Sequence, residues 1–207
     1  MSLQAKALTA HLEQLRGCSL CPLMIGPVVT HHTVLSKIYL CGQAPGTYEG
    51  KFGKPFAWTA GKTLFRWIQR TGVDEELFRS RAYMGAVCRC FPGKNAKGGD
   101  RVPNLQEISN CSAWMKTEFE LLKPELVIPV GRLAIELFLP KQKLTESVGS
   151  SFRKELFGIT CDVIPLPHPS GASTWFKVEP GVSLLAKGLD LIKTHPSWLS
   201  TFPESAT

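Results

Sequence analysis

The chain has 207 residues, which is enough for one substantial hydrophobic core and short for two, so we expect a single domain over residues 1–207. Hydrophobic residues make up 43% of the sequence, yet no apolar run approaches bilayer length and residues 1–17 lack a signal-peptide core. These features exclude a membrane-spanning class and predict a cytoplasmic protein. The net charge of +7 and pI near 9.1 favour polyanionic partners such as nucleic acid.

The first third of the chain predicts a helix, a strand and a long loop. Leucine and alanine at helical spacing indicate an amphipathic helix over 3–16, and the apolar run 37–41 is typical of a buried parallel strand. A glycine- and proline-rich loop then extends to a helix at about 59–70. A long loop beyond the carboxyl end of a strand is more typical of ligand binding than of a plain connection, which is the alternative.

Further strands alternate with helices along the rest of the chain. Strands are expected at 82–88, 126–130 and 161–166, and helices from Asn104 to about 122, after Gly131, and at about 181–194. The loop 91–103 is basic and either contacts phosphates or is a solvated linker. Residues 141–156 are weakly patterned, and 195–207 read as a loosely packed tail. This alternation predicts an α/β fold with a four-stranded parallel sheet.

Seven cysteines, an odd number, argue against a disulfide framework in a cytoplasmic chain and favour metal or cluster ligation. The candidate ligands are Cys18, Cys21, Cys90 and Cys111. The C-x2-C spacing of the first pair allows two thiolates to converge on one centre, and it suits zinc and an iron-sulfur cluster equally. The other three cysteines lie in predicted apolar strands and act as small hydrophobic residues; they are Cys41, Cys88 and Cys161. An accidental C-x2-C among ordinary buried thiols is the alternative.

Six motifs mark the chain from Cys18 onward: CSLCPL, GQAPGTYEGKFGKPFAWTAGKTL, YMGAVCRCFPGKN, NCSAW, PELVIPVGRLA and HPSGAS. Together they resemble the uracil-DNA glycosylase superfamily, most closely the family-4 enzymes that carry a [4Fe-4S] cluster. The resemblance extends to about residue 194. It implies a four-stranded parallel sheet sandwiched between helices, and a structural [4Fe-4S] cluster held by Cys18, Cys21, Cys90 and Cys111.

The resemblance also implies a role for each residue of the long loop and the HPS motif. A glycosylase flips a nucleotide out of the stack and binds its base in a pocket. Phe56 would stack on the base, and His168 would donate a hydrogen bond to a base carbonyl as negative charge builds there. Glu49 would stabilise the sugar cation, and Gln43 would help to hold the attacking water. The implied base-binding set is Gln43, Ala44, Pro45, Gly46, Phe56, Ala86 and His168.

Contacts to the DNA backbone are expected from two segments. Small residues with many donors follow His168, and basic residues occupy the loop after Cys90. The expected DNA-binding residues are Ser170, Gly171, Ala172, Ser173, Trp175, Lys94, Lys97 and Arg101. Trp175 or the adjacent Phe176 would fill the gap that the flipped base leaves in the stack, or else anchor the loop as a hydrophobic residue.

Three positions depart from the family-4 pattern. The first loop motif usually reads GEAPG or GEGPG, with an acidic pair a few residues later, whereas this chain has Gln43 and keeps only Glu49. The asparagine that usually reads the uracil edge is replaced by Ala86, which cannot form those hydrogen bonds. The chain also lacks the basic insertion of the relatives that capture uracil DNA covalently.

The sequence therefore predicts a monomeric glycosylase that removes a deaminated base, uracil first, from single- or double-stranded DNA. Hypoxanthine or xanthine is the alternative substrate. A non-catalytic protein that binds damaged or single-stranded DNA on the same fold is the runner-up, and a zinc-stabilised protein that acts on a small nucleotide is the third reading.

Overall fold

A five-stranded sheet forms the centre of the fold in the computed structural model, which describes residues 1–96, 98–171 and 173–206. The strands are β1 Ile38–Gly42, β2 Tyr83–Ala86, β3 Leu126–Pro129, β4 Phe152–Leu156 and β5 Ile159–Val163. Their spatial order is β2-β1-β3-β5-β4. Four strands run parallel, and β4 pairs antiparallel with β5 at one edge. The carboxyl ends of the parallel strands therefore meet at one edge of the sheet.

Helices cover both faces of this sheet. They are α1 Leu3–Arg16, α2 Glu49–Phe52, α3 Thr59–Gln69, α4 Glu75–Arg81, α5 Leu105–Leu122, α6 Arg132–Phe138, α7 Leu144–Ser147, α8 Gly181–Lys193 and α9 Pro196–Thr201, with 3-10 turns at Trp175–Lys177 and Pro203–Ala206. Along β1, Ile38 and Leu40 join a hydrophobic cluster with α3 and α8, whereas Tyr39 and Cys41 join one with α1 and α5. This alternation is the period-two pattern of a strand that is buried on both faces.

The N-cap predicted at Asn104 is confirmed by a reciprocal pair of hydrogen bonds. The Glu107 amide donates to the Asn104 side chain at 2.9 Å, and the Asn104 amide donates to the Glu107 carboxylate at 2.8 Å. This capping box satisfies two amides that the first turn of α5 would otherwise leave without partners. It fixes the end of the basic loop that precedes the helix.

The fifth strand is the main difference from the expected four-stranded sheet. Phe152, Lys154 and Leu156 are half-buried and alternate with exposed Arg153 and Glu155, which is the signature of an edge strand. The hairpin turn has positive φ at both central residues, 52° at Phe157 and 78° at Gly158. Such turns usually contain Asn-Gly or Asp-Gly. The unusual Phe-Gly turn hid this hairpin in a segment that looked polar and unpatterned.

The segment after residue 194 is packed into the core, where the sequence suggested a loose tail. His195 caps α9 by accepting the Ser197 amide at 3.1 Å, and Trp198 and Phe202 are completely buried. Both rings contact Phe78 of α4, with centroids 5.9 and 6.0 Å away. Burial of two large rings contributes several kcal/mol, roughly 1.5–3 for each side chain.

No helix within the described ranges is both long and apolar enough to span a membrane.

A buried carboxylate joins α5 to the first two strands. Glu118 is fully buried and accepts hydrogen bonds from Tyr39 of β1, from Tyr83 of β2 at 2.8 Å, and from Arg89. Burial raises the pKa of Glu118, but the Arg89 charge and the donated hydrogen bonds outweigh burial and lower the pKa to about 2. Removing one partner of such a buried pair typically costs about 3–5 kcal/mol. The network therefore fixes how α5 sits against the sheet.

Candidate active site

A cavity of about 600 Å³ opens where the long loop crosses the carboxyl ends of β1, β2 and β3. All seven expected base-binding residues line it: Gln43, Ala44, Pro45, Gly46, Phe56, Ala86 and His168. Glu49, Ser170 and Lys94 reach it as well. Its volume is in the range of ordinary small-ligand pockets. The fold thus brings together residues that are up to 125 positions apart, from Gln43 to His168.

Phe56 has an unusual backbone that is held from outside the loop. Its φ is +51°, a region that bulky residues rarely occupy. Arg79 of α4 donates to the carbonyls of Pro55 and Phe56, each at 2.9 Å, and so secures this conformation. The ring lies over Gly42, where any added Cβ would be 2.8 Å from the ring Cζ. Glycine at the end of β1 is therefore what allows the ring to line the pocket.

His168 is a neutral hydrogen-bond donor. Its Nδ1 accepts the Ser170 amide at 3.2 Å, so the ring hydrogen of the neutral form lies on Nε2. Burial lowers the pKa of His168, and the nearby charge of Asp100 only partly opposes that effect. Gly131, at φ +89°, makes room for the ring, since a Cβ there would be 2.7 Å from His168 Cδ2.

Two carboxylates lie beside Gly46 in the same cavity. Glu49 is 7% exposed, and its Oε2 accepts the Gly46 amide at 3.0 Å. A Cβ on Gly46 would be 2.9 Å from that oxygen and 3.5 Å from Oδ2 of Asp100. Lys94 binds the other oxygen of Asp100 at 2.6 Å. Sequence reasoning missed Asp100 because it lies in a loop that was read only for its basic residues.

The edge of β2 is apolar at the position that departs from the family pattern. Ala86 lines the cavity with a methyl group, and its carbonyl accepts from the guanidinium of Arg89. The Gln43 carbonyl accepts the Cys88 amide at 3.0 Å, which joins the loop to the segment that follows β2. Gln43 and Lys94 are among the polar residues that line this cavity.

The structure places the residues that are expected to contact DNA in different environments. Ser170 lines the cavity, and its carbonyl accepts the Ser173 amide at 3.1 Å, while Gly171 is exposed. Ala172 and Lys97 lie outside the described residues. Lys94 is at the cavity mouth.

The remaining expected contacts take part in packing or ion pairing. Both terminal nitrogens of Arg101 donate hydrogen bonds to the Glu107 carboxylate, at 2.7 and 2.8 Å, and so stabilise the start of α5. Trp175 is half-buried. Phe176 packs edge-on against Trp67, with ring centroids 4.9 Å apart.

The four candidate cysteine ligands share a second cavity of about 370 Å³. Burial, and then the nearby thiols of Cys111, Cys18 and Cys21, raise the pKa of Cys90 to about 11, so the other three sulfurs all lie near Cys90. Among the described residues, no three His, Cys, Asp or Glu side chains already have the arrangement of a metal site. The donor set and shared cavity fit a thiolate-bound centre in chemistry.

Two further contacts surround these cysteines. Asn110 of α5 donates to Cys21 Sγ at 3.4 Å, a contact that stabilises a thiolate. Cys88 donates a hydrogen bond to Cys111 and lowers the pKa of the Cys111 thiol. The strand-end Cys88 was read as an ordinary core thiol, and the structure places it against a candidate ligand.

Comparison with known proteins identifies the family. The model of the uracil DNA glycosylase superfamily matches residues 31–187. The chain belongs to this superfamily. A Thermotoga maritima protein named type-4 uracil-DNA glycosylase is 27% identical over 161 residues, 76% of this chain and 79% of that protein. A Saccharolobus solfataricus protein of the same name is 29% identical over 168 residues, 77% and 74% of the two chains.

A type-5 uracil-DNA glycosylase of Pyrobaculum aerophilum is also similar, with 27% identity over 119 residues, 52% of this chain and 50% of that protein. The superfamily match spans every element that lines the cavity. The first two candidate ligands, Cys18 and Cys21, precede the matched range.

The environment of His168 predicts how it titrates. In this superfamily member the imidazole should have a pKa below its ordinary 6.5, because burial disfavours the charged ring. Asp100→Asn should lower that pKa further, since the Asp100 charge favours the imidazolium. NMR titration of the ring carbon-bound protons measures both values. Asp190→Asn, on the exposed face of α8, is the control and should leave the titration unchanged. A midpoint that rises in Asp100→Asn would contradict this electrostatic assignment.

Proposed function

We propose that this protein is a monofunctional DNA glycosylase that hydrolyses the N-glycosidic bond of uracil in DNA and leaves an abasic site. The observation that carries the proposal is one cavity that is lined by both the half-buried ring of Phe56 and His168, whose neutral form carries its hydrogen on Nε2. The relatives named type-4 uracil-DNA glycosylase support the same activity. The chain acts as a monomer on a nucleotide flipped out of single- or double-stranded DNA.

Base binding rests on stacking and one directed hydrogen bond. The flipped uracil stacks on Phe56, which contributes about 1–3 kcal/mol. His168 donates Nε2–H to a uracil carbonyl. A neutral donor suits this position, because with a lowered pKa the ring carries no acidic imidazolium proton to transfer to the leaving base, and its hydrogen bond strengthens as the base becomes anionic.

Bond cleavage separates charge across the cavity. Water attacks C1′ of the deoxyribose, the C1′–N1 bond breaks, and its electron pair leaves with uracil, whose anion His168 stabilises. The sugar acquires cationic character, which the carboxylate of Glu49 stabilises electrostatically. Gln43 and the neighbouring backbone hold the water, and its proton passes to solvent through the Glu49 carboxylate. Small residues from Ser170 to Ser173 and Lys94 contact the DNA phosphates.

The proposal is tested by base release. Wild-type protein should release uracil from oligonucleotides, scored by alkaline cleavage at the abasic site. His168→Ala should reduce kcat/KM by about 100- to 1,000-fold, the usual effect of removing one donor to a developing anion. His32→Ala, which removes an exposed histidine outside the cavity, should retain activity.

The substrate panel separates the alternatives. Oligonucleotides with hypoxanthine and xanthine are tested beside uracil. Release of a purine alone would make the apolar Ala86 edge a change of specificity. DNA binding without release of any base would instead assign a damaged-DNA or single-strand binding role.

Ala86 generates a second expectation, a gain of uracil activity. Ala86→Asn places an amide at the edge of the cavity where it can accept from N3–H and donate to O4 of uracil. Two net hydrogen bonds are worth about 1–3 kcal/mol, so kcat/KM for uracil should rise roughly 10-fold or more. Ala86→Asp is the matched control, because it has the same shape but offers O4 no donor. Equal activity of the two variants would mean that the amide does not read the base.

We also propose that Cys18, Cys21, Cys90 and Cys111 bind a [4Fe-4S] cluster with a structural role. Support comes from their shared cavity, from the proximity of the other three thiols to Cys90 and from the type-4 names of the relatives. The cluster supplies cross-linking of the N-terminal segment, the segment after β2 and helix α5. No electron transfer is needed for base release.

Metal analysis tests the ligand set. Wild-type protein purified without oxygen should contain iron and sulfide and be brown. Cys90→Ala should lose the iron and unfold at a lower temperature, whereas Cys161→Ala, in β5, should keep the iron. Zinc in place of iron, in a colourless protein, would favour the zinc reading. Iron retained in Cys90→Ala would point to another ligand, with Cys88 the nearest candidate.

A further inference from the structure

Three aromatic side chains stand exposed beside the cavity. Tyr48, Phe52 and Trp58 are 43%, 50% and 38% exposed, and no other aromatic residue in the described part of the chain is as open to solvent. None of the three belongs to either hydrophobic cluster. Their exposure therefore requires an explanation other than core packing, since contiguous exposed apolar surface commonly marks a binding site.

The three rings form one surface, which we name the aromatic platform. Trp58 is central, with its ring centroid 4.7 Å from that of Tyr48 and 5.8 Å from that of Phe52. The Phe52 and Trp58 planes are inclined by only 22°. Tyr48 immediately precedes α2, Phe52 ends it, and Trp58 precedes α3, so the platform is built on helix ends rather than on a free loop.

The platform is continuous with the cavity. Tyr48 and Trp58 also line the cavity, and Trp58 is two residues from Phe56, whose backbone Arg79 fixes. A base on Phe56 and a base on the platform would therefore belong to neighbouring nucleotides.

Lysines surround the platform. Lys51 Nζ lies 5.4 Å from the Tyr48 ring centroid, and Lys62 Nζ lies 5.9 Å from that of Trp58. Lys54, in the same loop, is exposed. Aromatic faces among cations are the combination that binds single-stranded nucleic acid, with bases stacked on rings and phosphates beside the charges.

We propose that the aromatic platform stacks an unpaired nucleobase adjacent to the flipped nucleotide, and that it makes single-stranded DNA the preferred form of the substrate. This inference rests on the proposed function. In a duplex the neighbouring base is already stacked and paired, and those contacts must be broken before it can reach Trp58. In a single strand the base is free, so the platform adds its stacking energy at little cost.

Binding to a product analogue tests the platform without catalysis. The probes are oligonucleotides with a tetrahydrofuran abasic-site analogue and 2-aminopurine as the neighbouring base, single-stranded or duplex. Anisotropy gives Kd, and 2-aminopurine quenching reports stacking. Trp58→Ala should weaken single-strand binding by about 5- to 100-fold and relieve the quenching, with a smaller effect on the duplex. Phe52→Ala should act in the same direction, and Trp58→Phe should largely retain binding.

Leu35→Ala is the control. It truncates an apolar side chain that is 40% exposed and precedes β1, at the edge of the sheet opposite the cavity. The Kd for the single-stranded probe and the Kd for the duplex probe should both stay unchanged. The proposed role of the platform would be overturned if Trp58→Ala lost affinity equally for single-stranded and duplex probes. It would also be overturned if the variant kept wild-type thermal stability and lost no affinity. Self-association that Trp58→Ala abolishes, with unchanged DNA binding, would also overturn it by assigning the surface to a second copy. Platform-dependent binding without base release would overturn the proposed function alone.

Discussion

The arrangement of the molecule depends most on the hydrogen bonds and the ion pair formed by the buried carboxylate of Glu118. It accepts hydrogen bonds from β1 and β2 through Tyr39 and Tyr83, and it neutralises Arg89, which is also buried. A full charge without its partner at this depth costs about 3–5 kcal/mol, a large part of the stability of a typical domain. Helix α5 can therefore dock on the sheet in only one register.

Arg89 extends this constraint to both candidate sites. It lies between Cys88 and Cys90, and it also donates to the carbonyl of Ala86 at the rim of the large cavity. Helix α5 carries Cys111 two turns before Glu118. The proposed cluster and the proposed base pocket thus share one short segment after β2.

Sequence reasoning located the elements that carry strong local patterns. The helix 3–16, the Asn104 cap and the three central strands follow from period and capping chemistry, and the loop after β1 stood out by its length and glycines. It missed β4 because a Phe-Gly turn replaces the usual turn residues. It also missed the burial of Trp198, which depends on a partner, Phe78, 120 positions away. Local pattern cannot supply such contacts.

The same limit applies within the site. Phe56 and His168 were identified by motif, but Arg79 and Asp100 were not, since neither belongs to a motif and both act through space. The need for glycine at position 131 becomes clear only from the structure, in which the His168 ring packs against it. Residues that shape a pocket from distant elements leave little trace in a single sequence.

The positions of charge in the cavity match the charges that base excision would develop. Glu49 and Asp100 lie beside Gly46, whereas His168 lies beside Gly131 and stays neutral. In the proposed reaction the carboxylates would stabilise a sugar that becomes cationic, and His168 would stabilise a pyrimidine that becomes anionic, provided that the base lies on Phe56. A reversed orientation would set the anionic base against two carboxylates, of which Lys94 neutralises only one directly. The roles proposed for Glu49 and His168 therefore require the same orientation of the flipped nucleotide, with its base on Phe56 and its sugar towards Glu49.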